Sequence, residues 1–273
     1  GAFNIGRNHP ELKKVIKQCL DMDLASMVQM DSPLLAGLLA KKLLSLTPEG
    51  VDTVFFTNSG TESVEGALKL ARGATGREKI LYLDHSFHGL TLGSLSANGN
   101  DEFRKSFGAL LPGQSIVQND LKSLEKELKT KKYAAFIVEP IQGKGVHIPQ
   151  DDFLPEAQRL CRKYKTLFIV DEVQTGLGRT GKMFGYEHWN LEPDMICVAK
   201  ALSGGFIPVG AILYRRDIYK KVFSSMENCV VHSNTFGRNS LAMAAGLATL
   251  EIIEQEKLVE NSQKCGELLS KRM

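Results

Sequence analysis

The stretch LFIVDEVQTG, residues 167–176, decides the fold. Four apolar residues in succession run into a carboxylate. A strand with one wet face alternates apolar and polar residues. An unbroken apolar run of strand length suits a strand covered on both faces, as in parallel sheets. Similar runs recur along the chain: TVFFTN at Thr53–Asn58, ILYLD at Ile80–Asp84, Ser115–Gln118, AFIVE at Ala135–Glu139, Met195–Ala199 and Val209–Tyr214. Helical patterns separate them, among them Glu62–Arg72, Leu121–Leu128, Pro155–Tyr164 and Leu241–Glu256. This alternation predicts an α/β fold, a mostly parallel seven-stranded sheet with helices on both faces. Leu38–Leu46 reads as an amphipathic helix contributing to the core, and Lys126–Lys132 as a solvated helix end. Such sheets bind ligands at the carboxyl ends of their strands, so the polar residues there are the candidates for chemistry.

Composition excludes several classes. Of 273 residues, 43% are hydrophobic and 24% charged, ordinary for a chain with a sizeable core. Lys and Arg number 34 against 31 Asp and Glu, and a net charge of +3 does not call for nucleic acid or an anionic membrane. No apolar run reaches the roughly eighteen residues of a membrane span. The nearest pair among the five cysteines, Cys197 and Cys229, stands 32 positions apart, so there is no CxxC or metal-knuckle spacing. An odd, dispersed set reads as reduced thiols in a reducing compartment, here the cytoplasm. Gly1-Ala2-Phe3-Asn4 reads as a cut inside a longer chain, and the far end stops within a helical pattern.

Four segments at strand ends carry candidate chemistry. Asn58-Ser59-Gly60-Thr61-Glu62 follows a strand and opens a helix. The free N–H groups of a first helical turn form an anion site, and Ser59 and Thr61 add hydroxyls; simple N-capping explains the same residues. Phe87-His88-Gly89 offers a ring that stacks on a flat ligand or packs in the core, and a histidine that is catalytic or merely satisfied. Asp171 ends a very apolar strand, where a carboxylate is costly unless it is paired, holds a metal or acts as a base. The Lys-Ser/Thr phosphate loop that would make it a Walker-type magnesium ligand is missing. Lys200 precedes Ser203-Gly204-Gly205; a lysine in an apolar setting can form a Schiff base, and a surface lysine can simply snorkel. Together an anion cradle, a stacking ring, a carboxylate and a lysine on one sheet match the needs of pyridoxal 5'-phosphate, PLP.

The motifs carry a resemblance. NSGTES (58–63), SFHGLT (86–91), EPIQGKG (139–145), DEVQTGLGRTG (171–181), AKALSGG (199–205) and SNTFGRN (233–239) resemble, in order and spacing, the class III (ω-) aminotransferases of PLP fold type I. The pattern is nearest to putrescine and ornithine-type members. The resemblance implies that Lys200 forms the Schiff base and shuttles the proton while Asp171 pairs with the pyridinium nitrogen. It implies that Gln174 bonds the phenolic oxygen, Val173 and Phe87 cover the two ring faces, and Gly60 and Thr61 hold the phosphate, with Ser59 and His88 beside them. Glu139 would order the site near Gln174. Thr235 would reach the phosphate site of a second subunit, giving a homodimer with shared sites.

Departures from the family pattern bear on substrate. Leu90 stands where ornithine and acetylornithine aminotransferases have an arginine that grips an α-carboxylate. An apolar wall there points to a terminal amine, such as a diamine like putrescine or another ω-amine, with a 2-oxo acid as partner. Lys144 replaces a glutamate of EPIQGEG, and Arg238 and Ser240 replace a Gly and a Pro. The expected organisation is an N-terminal remnant over 1–30, a large PLP-binding domain over 31–257, and the start of a small C-terminal domain over 258–273, with Leu241–Met273 as the connecting helix. Alternatives at this stage are acetylornithine or ornithine as substrate, a glutamate-1-semialdehyde aminomutase, an aminating domain of a multidomain biosynthetic protein, and an inactive dimerising homologue.

Overall fold

The computed structural model describes residues 1–24, 33–150 and 152–272. Helices α1 (Pro10–Asp21) and α2 (Leu34–Leu44) precede β1 (Val51–Thr57) and α3 (Gly60–Thr75). Next come β2 (Lys79–Leu83), α4 (Leu92–Ser96), α5 (Asp101–Arg104), β3 (Gln114–Val117) and α6 (Leu121–Leu128). Then follow β4 (Tyr133–Val138), α7 (Phe153–Tyr164), β5 (Leu167–Asp171), β6 (Met195–Val198) and β7 (Gly210–Arg215). The chain closes with α8 (Arg216–Val222), α9 (Ser240–Gln255) and α10 (Leu258–Ser270).

The strands form one seven-stranded sheet in the order β1-β7-β6-β5-β4-β2-β3. β7 is antiparallel to both of its neighbours, and the other adjacent pairs are parallel. The continuous apolar runs have their cause in two cores. Phe136 and Val138 of β4, Phe168 and Val170 of β5, and Ile196 and Val198 of β6 enter one core with α1, α2, α6, α7 and α9. Ala135, Ile137, Ile169 and Cys197, the intervening residues, enter the other with α3 and α8. Each fully buried Leu, Ile or Phe contributes about 1.5–3 kcal/mol by leaving water, so a strand that feeds both faces has no position for a polar residue until it ends.

Helix α3 starts where a polar cap allows it. Ser59 is extended and its Oγ accepts from the Glu62 N–H at 3.2 Å. The helix ends at Gly76, whose φ of 66° suits a left-handed cap. Its N-terminal turn lies tightly against β7: a Cβ on Gly210 would come within 2.5 Å of Thr57 Oγ1 and 2.7 Å of Ser63 Oγ.

The end of the chain departs from expectation. Residues 241–272 do not form one connecting helix, and Met273 lies outside the described residues. α9 and α10 are separated by Lys257, which takes a left-handed φ of 51°. α9 is anchored by Ala242, Met243, Ala245, Leu250 and Ile253, whereas α10 buries none of its residues. Glu254-Gln255-Glu256-Lys257 offers no apolar side chain to continue the stripe, so the core stops holding the helix there. The expected division at residues 30 and 31 also lies outside the described residues. Among the described residues, no helix is long and apolar enough to cross a membrane, and no group of three or more His, Cys, Asp or Glu could hold a metal ion.

Candidate active site

β1, β2, β4, β5 and β6 all run the same way, and the segments leaving their carboxyl ends wall a cavity of about 410 Å³. Its floor is the end of β5. Asp171 is buried; its Oδ1 accepts from the Val173 N–H at 3.0 Å and its Oδ2 lies 2.8 Å from Nδ1 of His88. His88 is fixed in turn. Its backbone N–H donates to Asn98 Oδ1 at 2.6 Å, and Asn98 Nδ2 donates to the Gly89 carbonyl at 2.8 Å. Nε2 of His88 is buried without a hydrogen-bond partner. A carboxylate so deep costs several kcal/mol unless its oxygens are bonded, which is why both are.

Two further carboxyl groups stabilise the surrounding loops. Glu139 follows β4, with Oε2 accepting from the Phe87 N–H at 2.9 Å and Oε1 from the Gly143 N–H at 2.8 Å. It therefore ties together the loops after β2 and β4. Burial pushes its carboxyl up to about 7; His88 opposes the shift and Asp171 adds to it. Glu172, next to Asp171, faces the protein rather than the cavity. It accepts from Thr175 Oγ1 at 2.6 Å and from the Gly185 and Tyr186 N–H groups at 2.9 and 2.7 Å. Burial raises its carboxyl to about 7 as well.

Lys200 is reached from β6 through Ala199 and starts a 3-10 turn over Lys200–Ser203. Its φ of 44° is left-handed, a conformation that costs a non-glycine residue about 1–2 kcal/mol. Gly204 follows at φ 60°, and a Cβ there would come within 2.6 Å of Ile5 and 2.7 Å of Leu12. The lysine is exposed through the cavity opening, and its Nζ donates to Gln174 Oε1 at 2.6 Å.

Gly60 and Thr61 bring the first turn of α3 to the cavity. A Cβ on Gly60 would stand 2.7 Å from Val173 Cγ1, so the close approach needs a glycine. Thr61 Oγ1 lies 2.7 Å from Thr91 Oγ1 and 2.6 Å from Ser94 Oγ. Ser59 performs the capping role and lines an adjoining depression rather than this cavity.

Nine of the candidate cofactor-site residues thus line one cavity, Gly60, Thr61, Phe87, His88, Glu139, Asp171, Val173, Gln174 and Lys200, and Gly89 and Lys144 line it with them. Thr235 does not. It is exposed on a loop anchored by Asn234, whose Nδ2 donates to the Phe56 carbonyl at 2.9 Å. Leu90 is 58% exposed and is not part of the lining, so it is no wall of this cavity. Sequence reading missed Phe103, which lines the cavity and meets Phe87 edge-on with ring centroids 5.2 Å apart. It also missed Asn98 and Glu172. Asn98 sits in an Asn-Gly-Asn turn, and Glu172 is acidic directly after a buried strand; those were the available signals.

A profile described as aminotransferase class III matches residues 1–273. The chain is 41% identical over 98% of its length to a putrescine aminotransferase of Pectobacterium atrosepticum, of which it covers 59%. It is 40% identical over 97% of its length to the aminotransferase PigE of a Serratia species, of which it covers 32%. It therefore spans well under two thirds of these relatives. Among solved structures, an ornithine aminotransferase of Toxoplasma gondii superposes with a TM-score of 0.90 at 30% identity, covering 98% of this chain and 64% of that one. A taurine:2-oxoglutarate aminotransferase of Bifidobacterium kashiwanohense, solved with PLP and glutamate, gives 0.91 at 29%, covering 98% and 65%.

Proposed function

The chain belongs to the class-III aminotransferases, and from that membership we propose that it uses pyridoxal 5'-phosphate to move an amino group between a terminal amine and a 2-oxo acid. One observation carries the reading: Asp171 at the end of β5 and Lys200 just past β6 line the same cavity as the glycine-opened first turn of α3.

The residues fit this cofactor. A phosphate suits the first turn of α3, where Gly60 admits a close approach and the helix dipole favours negative charge. Val173 and Phe87 offer apolar surface for a flat ring. Asp171, held on both oxygens, suits a protonated ring nitrogen. When bound, pyridoxal phosphate supplies a carbonyl that condenses with amines and a ring that draws off the charge left when a carbon-bound proton is removed.

In this reading Lys200 attaches the cofactor and then carries that proton on Nζ. Gln174, 2.6 Å from that atom, orients it. Asp171 would pair with the ring nitrogen, and the His88 contact holds its carboxyl group in place. Glu139 keeps the Phe87 and Gly143 walls at a set spacing. Thr235 is assigned to the phosphate site of a partner in a homodimer. Its exposure supports this, as do the neighbouring exposed apolar residues Val230 and Phe236. The substrate assigned is a diamine such as putrescine, or another ω-amine. The putrescine aminotransferase relative supports it. Free thiols at all five cysteines suit a cytoplasmic setting.

Adding PLP to the protein should give a visible absorption band, and borohydride reduction followed by peptide mapping should place the label on Lys200. A label on another lysine would refute the assignment. Turnover of putrescine, ornithine and acetylornithine measured side by side tests the substrate, and a preference for either amino acid over the diamine would overturn it.

A further inference from the structure

We propose that Lys144 forms a carboxylate-binding subsite at the mouth of the cavity, which takes the far carboxylate of a dicarboxylic 2-oxo acid; the inference rests on the aminotransferase reading above. Lys144 lies on the loop after β4. Its Nζ stands 4.6 Å from the centre of the Phe103 ring, and Phe103 in turn meets Phe87. All three side chains line the cavity.

The distribution of charge around the cavity sets where an acidic substrate can extend. Asp171 lies buried in the lining, and its carboxylate would repel a second carboxylate near it. Lys200, one of the two lysines in the lining, is turned to Gln174 and belongs to the reacting end. A diacid whose oxo group reacts beside Lys200 therefore meets positive charge outward, at Lys144.

A carboxylate already sits there. Glu102, on α5, forms an ion pair with Lys144. The side chains are 43% and 54% exposed, for Lys144 and Glu102 respectively. An open pair of this kind is screened and weak, so another carboxylate can exchange with Glu102 at little cost. The Phe103 ring holds the ammonium over the mouth while the exchange takes place, since its π-face attracts the cation. Glu102 is thus the resident occupant, and the acceptor's far carboxylate is the competing one.

Two unreactive acids test this: glutarate, a diacid, and butyrate, a monoacid of similar reach. Their binding to the PLP-loaded protein is measured by calorimetry for the parent chain and for Lys144→Gln, Lys144→Arg and Glu102→Gln. The ratio of glutarate to butyrate affinity should fall about tenfold in Lys144→Gln, the scale of one charge-assisted hydrogen bond, and be largely kept in Lys144→Arg. Glu102→Gln should raise the ratio by removing the competitor. In turnover, KM for 2-oxoglutarate relative to KM for pyruvate should rise by the same factor in Lys144→Gln. A ratio indifferent to Lys144→Gln, or lowered by Glu102→Gln, overturns the subsite. Calorimetry needs no turnover, so these outcomes stand apart from the aminotransferase reading, which fails if no amine is converted.

Discussion

The floor and the mouth of the cavity are built on opposite principles. At the floor, Asp171 and Glu139 are buried, and each of their oxygens meets a donor on a named neighbour: Val173, His88, Phe87 or Gly143. At the mouth, Lys144 and Glu102 are about half exposed, and Lys200 reaches solvent past Gln174. Burial makes every unmade hydrogen bond expensive, so the floor is held in one arrangement. Exposure makes ion pairs weak, so charges at the mouth can change partners. A site that must fix one group and admit several others in turn needs both.

The largest effects should come from the groups nearest the chemistry. Lys200→Ala and Asp171→Asn should each lower turnover by at least about 10³-fold, with the fold intact by circular dichroism. An Asp171→Asn protein of near-normal rate would show that the floor carboxylate is not used, and would remove half of the contrast.

Next is the floor as structure. Glu139→Ala leaves the Phe87 and Gly143 N–H groups without their acceptor and should cost about 3 kcal/mol in denaturant unfolding, with weaker PLP binding. Glu139→Gln keeps one acceptor oxygen and should cost less. Equal losses in the two variants would mean that the bonds to the two loops do not matter.

Glu172 sharpens the point through pH. Its carboxyl is raised from 4.5 to about 7 by burial. Between those values the folded chain holds a proton that the unfolded chain has released. Its contribution is therefore fully present below 4.5 and is lost as pH rises through 7, a change of roughly 3 kcal/mol. Stability measured against Glu172→Gln should fall by that order between pH 5 and pH 8. A difference that stays flat over this range would mean that the carboxyl is ionised throughout.

The smallest effect belongs to the mouth. Lys144→Gln and Glu102→Gln should each change unfolding free energy by less than about 1 kcal/mol. A loss comparable to that of Glu139→Ala would make the mouth as rigid as the floor and erase the distinction.

Much of the fold was legible from local pattern. Each of the seven strands lies within two residues of its expected bounds, because an apolar run covered on both faces leaves little else for those residues to form. The reversed direction of β7 was not legible, since an apolar run reads the same both ways. The helix expected over Leu241–Glu256 is α9, whereas the single connecting helix on to Met273 is interrupted at Lys257, where helical propensity continues but the core does not. In the site, Lys200 and Asp171 stood out by residue type at strand ends. Ser59 carried two readings, and its Oγ is engaged as a cap. Phe103 carried no chemical signal at all.

The sequence by itself determined the strand–helix alternation, the family, and which residues have the chemistry to act. The tertiary structure decided which of them meet. His88 and Asp171 are 83 positions apart and come within 2.8 Å because β2, β4 and β5 lie side by side with their ends aligned. Lys144 lines the cavity beside Phe103, whereas Leu90, an equally conspicuous departure, is exposed and does not line it. Residue type sets what a side chain can do; strand order and loop direction set what lies within a hydrogen bond's reach, and no local pattern encodes them.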